Sequence, residues 1–255
     1  MTAASTVATG GALDIGRVIQ QLFRVLGRNF VTFLALAVLL AGIPAILLGL
    51  LQMNVMARGQ LFAWQSLLGS LVAGLFGLIL QGTVIYGTVT DLNNRRAGVV
   101  DCLSVGLRSF LPLLGIGILL YAAIIAGTML LIVPGLMLAV AWCVAVPAYV
   151  VEQTSLFGAF GRSAELTRGN RWRIFGLFII YFVAFLILEL VTGMFGSVAR
   201  MSSGGGFSLM QVVVVRPLLG IGAALIGTVG AAVLYVDLRQ IKDGVGPEGL
   251  AAIFD

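Results

Sequence analysis

The sequence contains no histidine and only two cysteines, Cys102 and Cys143. Without histidine, neither a Ser-His-Asp triad nor a histidine metal site can form within the chain, and two cysteines cannot supply a Cys₄ zinc site. The cysteines stand 41 residues apart with no paired spacing, so neither a disulfide framework nor a redox motif is present. Charge is scarce as well. Only 10% of the 255 residues are Asp, Glu, Lys or Arg, against about 25% in soluble domains. So few charged side chains could not cover the surface of a soluble protein of this length. No phosphate loop is present either: Gly115-x-Gly117 lies inside an apolar run, and no Gly-Lys-Ser/Thr follows. What the chain has in abundance is apolar: 60% of its residues are hydrophobic and the mean hydropathy is +1.12. Lipid is the solvent this composition implies. Disorder, collagen and coiled coil are excluded by the same numbers.

A helix needs roughly 20 apolar residues to cross about 30 Å of hydrocarbon. Six segments meet or approach that length: 30–51, 61–89, 111–133, 134–151, 174–197 and 212–236. Spans three and four touch at Val133-Pro134-Gly135, where the missing proline N–H and the permissive glycine predict a tight hairpin. Pro44 and Pro147 are expected to bend spans one and four. Residues 1–12 lack a basic stretch leading directly into an apolar core, so the first run reads as a retained span rather than a cleaved signal. Residues 1–11 read as a disordered amino terminus and 237–255 as a tail, and the whole of 1–255 reads as one membrane domain.

Orientation follows from the basic residues. Twelve of the fifteen, among them Arg17, Arg24, Arg28, Arg162, Arg168 and Arg239, fall on one side of the six-span model; Arg58, Arg200 and Arg216 fall on the other. Both termini are thereby predicted to be cytoplasmic. Fourteen of the fifteen are Arg, which with abundant Ala and Gly suggests a GC-rich bacterial genome and a bacterial inner membrane.

The three cytoplasmic entries share a pattern. Before span one, within 12–29, Ile15, Val18, Ile19, Leu22, Phe23 and Leu26 oppose Arg17, Gln20, Gln21, Arg24 and Arg28. Before span three, Val99, Leu103, Leu107 and Phe110 oppose Asp101, Ser104 and Arg108. Before span five, Leu156, Phe160 and Ala164 oppose Arg162, Glu165 and Arg168. Each reads as an interfacial amphipathic helix. The expected fold is all-α: a polytopic transmembrane bundle of six spans and three cytoplasmic interfacial helices, arranged as a pseudo-threefold repeat of one such helix plus a two-span hairpin. Spans two, four and six end in Tyr86…Asp91, Tyr149…Glu152 and Tyr235…Asp237. The tyrosine suits the head-group level with its hydroxyl wet. The acid either pairs with an Arg of an entry helix or is solvated.

Within the spans, Glu189 is the only acid well inside an apolar run, about 12 Å from the outer end at 1.5 Å per residue. An ionisable group there is costly and is a candidate functional residue. Arg216 lies at a similar outer depth, and the two either pair across the hairpin or Glu189 is neutral and hydrogen-bonded. Gln81 is the polar residue of span two able to meet a ligand. It shares a face with Ser66, Ser70, Gly74, Gly77 and Thr88, which reads first as a helix-packing face. The same holds for Gly220, Ala224, Gly227 and Ala231 in span six.

Residues 147–176, PAYVVEQTSLFGAFGRSAELTRGNRWRIFG, resemble the signature stretch of the glycerophosphoryl diester phosphodiesterase membrane-domain family. The matching positions are Pro147, Glu152, Arg162, Ser163, Leu166, Thr167, Gly169 and Trp172. The ending Asp237-Leu238-Arg239 is similar to that family's, while Gln240-Ile241 departs from it. The resemblance implies the membrane part alone. In some members it is joined to a soluble barrel that uses His and metal-binding acids, and this chain has neither the His nor the length for one. It also marks Glu152, Arg162, Ser163, Glu165, Thr167, Arg168, Asp237 and Arg239 as a candidate cytoplasmic interface motif.

Together these readings give an expectation of no enzymatic activity, no cofactor and no metal. The expected role is a lipid-interacting or scaffold module, with anionic head groups at Arg17, Arg24 and Arg28, a protein partner or second copy, and no nucleic acid. The alternative is a transporter or channel component for a small or amphiphilic substrate.

Overall fold

The computed structural model describes residues 13–57, 64–93, 95, 98–202 and 214–244. The amino terminus up to residue 11, the Arg58 and Arg96 positions and residues 245–255 of the expected tail lie outside the described residues. Ten α-helices account for almost all of the rest, with no strand among the described residues. Six helical stretches are long and apolar enough to cross a membrane: Phe30–Leu51, Leu67–Leu92, Val99–Met129, Val133–Glu152, Arg171–Met194 and Arg216–Asp243.

Helix α1 (Ile15–Arg28) begins at Asp14, whose carboxylate accepts from the Gly16 and Arg17 backbone N–H groups, satisfying two donors that have no partner within the helix. Val18, Leu22 and Val25 recur at helical spacing and are buried. Arg17, Gln20, Arg24 and Arg28 are exposed on the other side. The first span runs through α2 (Phe30–Ala37), a π-helical turn (Val38–Gly42) and α3 (Ile43–Ala57). Pro44 has no N–H to bond one turn back, and the wider turn stands immediately before it, absorbing the mismatch within a continuous span.

Helices α4 (Trp64–Leu92) and α5 (Val99–Leu130) make the most extensive helix pair. They meet at glycines, but not the ones the span-two face suggested. A Cβ on Gly106 would lie 2.7 Å from the Ile79 carbonyl oxygen, and one on Gly82 3.2 Å from the Gly106 Cα. Around Gly74 and Gly77 the space is open. The residues expected to form the second interfacial helix are not a separate element. They run unbroken into the third span as one helix of 32 residues, straight through Pro112.

Leu131 is extended and turns the chain into α6 (Ile132–Ala141), with Pro134 in its first turn, where a missing N–H leaves nothing unsatisfied. The turn thus falls two residues earlier than Val133-Pro134-Gly135. A Cβ on Gly127 would sit 3.1 Å from the Gly135 Cα, so the hairpin closes backbone on backbone. After α6 the chain leaves the helix at residues 142–144 and resumes as α7 (Ala145–Glu152), with Pro147 in its first turn. Span four is therefore broken rather than bent.

Helix α8 (Leu156–Thr167), capped by the Ser155 hydroxyl, lies against α7. A turn at 168–170, with Gly169 at φ +93°, leads into α9 (Arg171–Ser202). Helix α10 (Arg216–Asp243) runs back to the α8 end and packs against α1, α4, α7 and α8. Residues 232–238 of α10 are all buried, which makes it the central strut. The segment expected to be tail from residue 237 is helical as far as Asp243. It stops at Gly244, whose φ of +66° is the left-handed cap position glycine favours.

Candidate functional site

The break in span four leaves a carbonyl and an amide without helical partners, and α8 supplies them. The Ser163 hydroxyl donates to the Ala141 carbonyl at 2.9 Å and accepts from the Val144 N–H at 3.3 Å. The Thr167 hydroxyl lies 3.3 Å from the same Ala141 carbonyl and 2.9 Å from the Ser163 carbonyl. Both side chains are wholly buried, as is Leu166 between them. Trp142, at the break, meets Phe160 of α8 edge to face, with ring centroids 4.9 Å apart. An interrupted helix in an apolar setting is tolerated only where protein re-satisfies the freed backbone, and the Arg-Ser-x-x-Leu-Thr run does that here.

About two turns further on, Glu152 closes α7 and gathers charge from two other helices. Both its oxygens accept from Arg162 Nε, at 3.1 and 3.2 Å, and one accepts from the Tyr235 hydroxyl at 2.8 Å. Arg162 also donates to Glu165, at 3.3 Å, and to Asp243 of α10. Arg239 lies 3.9 Å from Glu152 and 3.6 Å from Asp243, and donates to the Tyr235 hydroxyl at 3.3 Å. Two arginines and three carboxylates thus tie α7, α8 and the end of α10 together. Burial lowers the Arg162 pKa, but its hydrogen bonds to Asp243 and Glu152 outweigh that and hold it above the ordinary value, so it stays charged. Tyr235 was expected at a wet head-group level; it is fully buried, and its hydroxyl serves the cluster instead.

The other two span-ending acids lie toward α1 instead. Asp91, at the end of α4, is buried and lies 3.5 Å from the exposed Arg28. Asp237 is buried, with Arg17 and Asp14 at the start of α1 as its neighbouring charges. The start of α1 is tied to the turn before α9: the Leu13 N–H donates to Asn170 Oδ1 at 3.1 Å, and Arg173 donates to the Leu13 carbonyl at 2.6 Å. A shallow open depression there is lined by Leu13, Asp14, Ile15, Arg17 and Arg173.

The motif and the intramembrane residues fare differently. Glu152, Arg162, Ser163, Glu165, Thr167 and Arg239 converge, and Asp243 and Tyr235 join them. Those two were missed because nothing in the sequence says that α10 continues past residue 237 or that its tyrosine turns inward. Arg168 is exposed and forms no ion pair among the described residues, so Glu165 pairs with Arg162 alone. Glu189 and Arg216 do not pair with each other. Both are exposed, and neither side chain makes an ion pair among the described residues. Gln81 is half-buried, beside the Gly82 contact with α5.

The chemistry open to the corner is limited. Its carboxylates are engaged by arginines and a tyrosine, and among the described residues no group of three or more His, Cys, Asp or Glu is placed to hold a metal ion. The two cysteines are free, Cys102 being buried. Neither the curated proteins nor the solved structures give a match to the chain. One family model matches, that of DUF7847, a domain of unknown function, over residues 13–238, and the chain belongs to that family.

Proposed function

We propose that the protein is a non-enzymatic scaffold or lipid-interacting module of a bacterial inner membrane, with both termini cytoplasmic. The observation that carries this reading is the division of polar groups at the α8 end. The arginines and carboxylates of the corner bind one another. The outer face of α1 instead turns Arg24 and Phe23 away from the protein, with Arg28 exposed beside them while it meets Asp91. Trp172, 85% exposed, stands near the same level at the start of α9. Basic and aromatic side chains presented together suit a layer of anionic head groups. In this reading α1 and α8 are interfacial helices of a degenerate three-unit repeat, whose middle copy has fused to its span. The resemblance of residues 147–176 to the glycerophosphoryl diester phosphodiesterase membrane domain extends the same proposal, and the structural tasks of Ser163, Thr167 and Arg162 support it.

A second reading, a transporter component for a small or amphiphilic substrate, is favoured by one feature: the interruption at 142–144. Broken helices line substrate sites in transporters. Here the freed groups face Ser163 and Thr167 rather than a cavity.

The test is lipid analysis of the full chain purified in mild detergent. Anionic lipids are expected to be enriched over the bulk membrane, and Arg24→Gln with Arg28→Gln is expected to reduce that enrichment several-fold. Bulk composition in both proteins would remove the lipid-binding reading. Reporter fusions near Arg58, in the 203–209 segment and at the carboxyl end are expected to give outside, outside and inside. A carboxyl end found outside would invert the proposal.

A further inference from the structure

Helix α9 is the least embedded span, with 6% of its most apolar stretch buried. It leans on the rest of the chain near its start and touches α10 through Tyr181, whose hydroxyl donates to the Ala223 carbonyl at 3.2 Å. A Cβ on Gly227 would lie 3.4 Å from that same hydroxyl. This contact fixes the register of two antiparallel helices. Glu189 lies eight residues beyond Tyr181 along α9, about 12 Å further from the α8 end. Arg216 lies seven residues before Ala223, about 10 Å in the same direction along α10. Acid and base therefore stand at one depth, yet both are exposed and neither has an ion-pair partner among the described residues.

Each charge sits on a face shaped for a helix. Phe182, Leu186, Glu189 and Gly193 follow at steps of four, three and four, an exposed seam on one side of α9. Arg216 and Gly220 stand one turn apart on α10, outward of the Tyr181 contact at Ala223 and Gly227; both are exposed, and Gly220 has open space around it. Small residues let a second helix approach closely. A charge left unpaired in hydrocarbon costs roughly 2.5–3.5 kcal/mol on the insertion scale.

We infer that α9 and the outer half of α10 form the docking face for a second copy of this chain. In a twofold dimer, Glu189 of each copy meets Arg216 of the partner subunit. The occupant is a second copy because one chain presents both complementary charges at one depth. A twofold axis along the membrane normal keeps that depth equal, so one geometry closes two identical ion pairs.

The test uses the full chain in lipid nanodiscs or native membranes, with oligomeric state read by single-molecule photobleaching. The wild type is expected to be dimeric. Glu189→Arg alone sets two arginines against each other, and Arg216→Glu alone sets two carboxylates against each other. Each is expected to shift dissociation at least tenfold toward monomer. Co-expressed, the two variants are expected to form a mixed dimer, because every 189–216 contact between them is again acid to base. A pair within one chain would not be rescued in this way. Leu186→Cys co-expressed with Gly220→Cys, one turn inward of Glu189 and Arg216 and leaving both charges in place, is expected to give a disulfide-linked dimer on mild oxidation, so the idea stays testable if a charge variant folds poorly. A monomeric wild type, dimers indifferent to both charge changes, or single variants that do not rescue each other would each overturn it.

Discussion

Spans four and five are both apolar enough to cross a membrane, with mean hydropathies of 1.9 and 2.7 over their best windows, and they occupy opposite surroundings. Half of span four's window is buried inside the protein, against 6% of span five's. Span four is short, interrupted and built largely of small residues, and its irregular backbone must be met by protein. Span five is an unbroken helix carrying Phe178, Ile179, Ile180, Phe182 and Leu186 outward, which lipid accommodates as well as protein would. Hydropathy measures whether a segment leaves water. It is blind to whether the new neighbours are side chains or acyl chains, and that depends on polar groups needing partners.

That contrast can be broken by substitution. The largest effect is expected at Glu152. Glu152→Ala leaves Arg162, Arg239 and the Tyr235 hydroxyl without their common acceptor, and removing one member of such a pair costs about 3–5 kcal/mol. A large fall in melting temperature in detergent, with reduced expression, checks it. Next comes the lining of the break. Ser163→Ala is expected to cost about 1–3 kcal/mol by leaving the Ala141 carbonyl and Val144 N–H short of partners, and Thr167→Val less, since Ser163 still serves that carbonyl. Faster hydrogen exchange at residues 142–146, compared with α10, reads this locally. Gly106→Ala is expected to cost about 1–3 kcal/mol through overpacking against Ile79, measured as the same melting shift. The smallest effect on a single chain is expected from Glu189→Gln, within about 0.5 kcal/mol in monomeric detergent preparations, because the side chain is exposed and forms no ion pair among the described residues. A large loss at Glu189 in the monomer, or none at Ser163, would erase the distinction between the two spans.

The helical class and the six crossings follow from composition and run length, since 20-residue apolar runs leave few alternatives. The corner was partly visible: Arg162, Ser163, Thr167 and Glu152 stood out as a polar run closing one span and opening the next. Three things were hidden. Pro147 was read as a bend, whereas the chain leaves the helix three residues before the α7 start and Pro147 falls in the new first turn. That outcome depends on α8 being present to accept the freed groups, which is a tertiary fact. The second entry segment carries the same amphipathic spacing as the first, but it has no Asn29-like stop before Phe110, so the helix simply continues. Glu189 and Arg216 were matched by depth alone, and depth does not say which way a side chain points around its helix.

The interruption at 142–144 also sets an order on synthesis. The hairpin of α5 with α6 and α7 is complete in sequence by Glu152, but the hydroxyls that satisfy its break belong to residues 163 and 167, which emerge from the ribosome later. Until then the Ala141 carbonyl and Val144 amide have no protein partner. The fourth crossing can therefore settle at full depth only after α8 has been made and has folded back on it. A chain stopped between Glu152 and Ser163 should hold its last half-helix near the membrane surface, where water can still reach it.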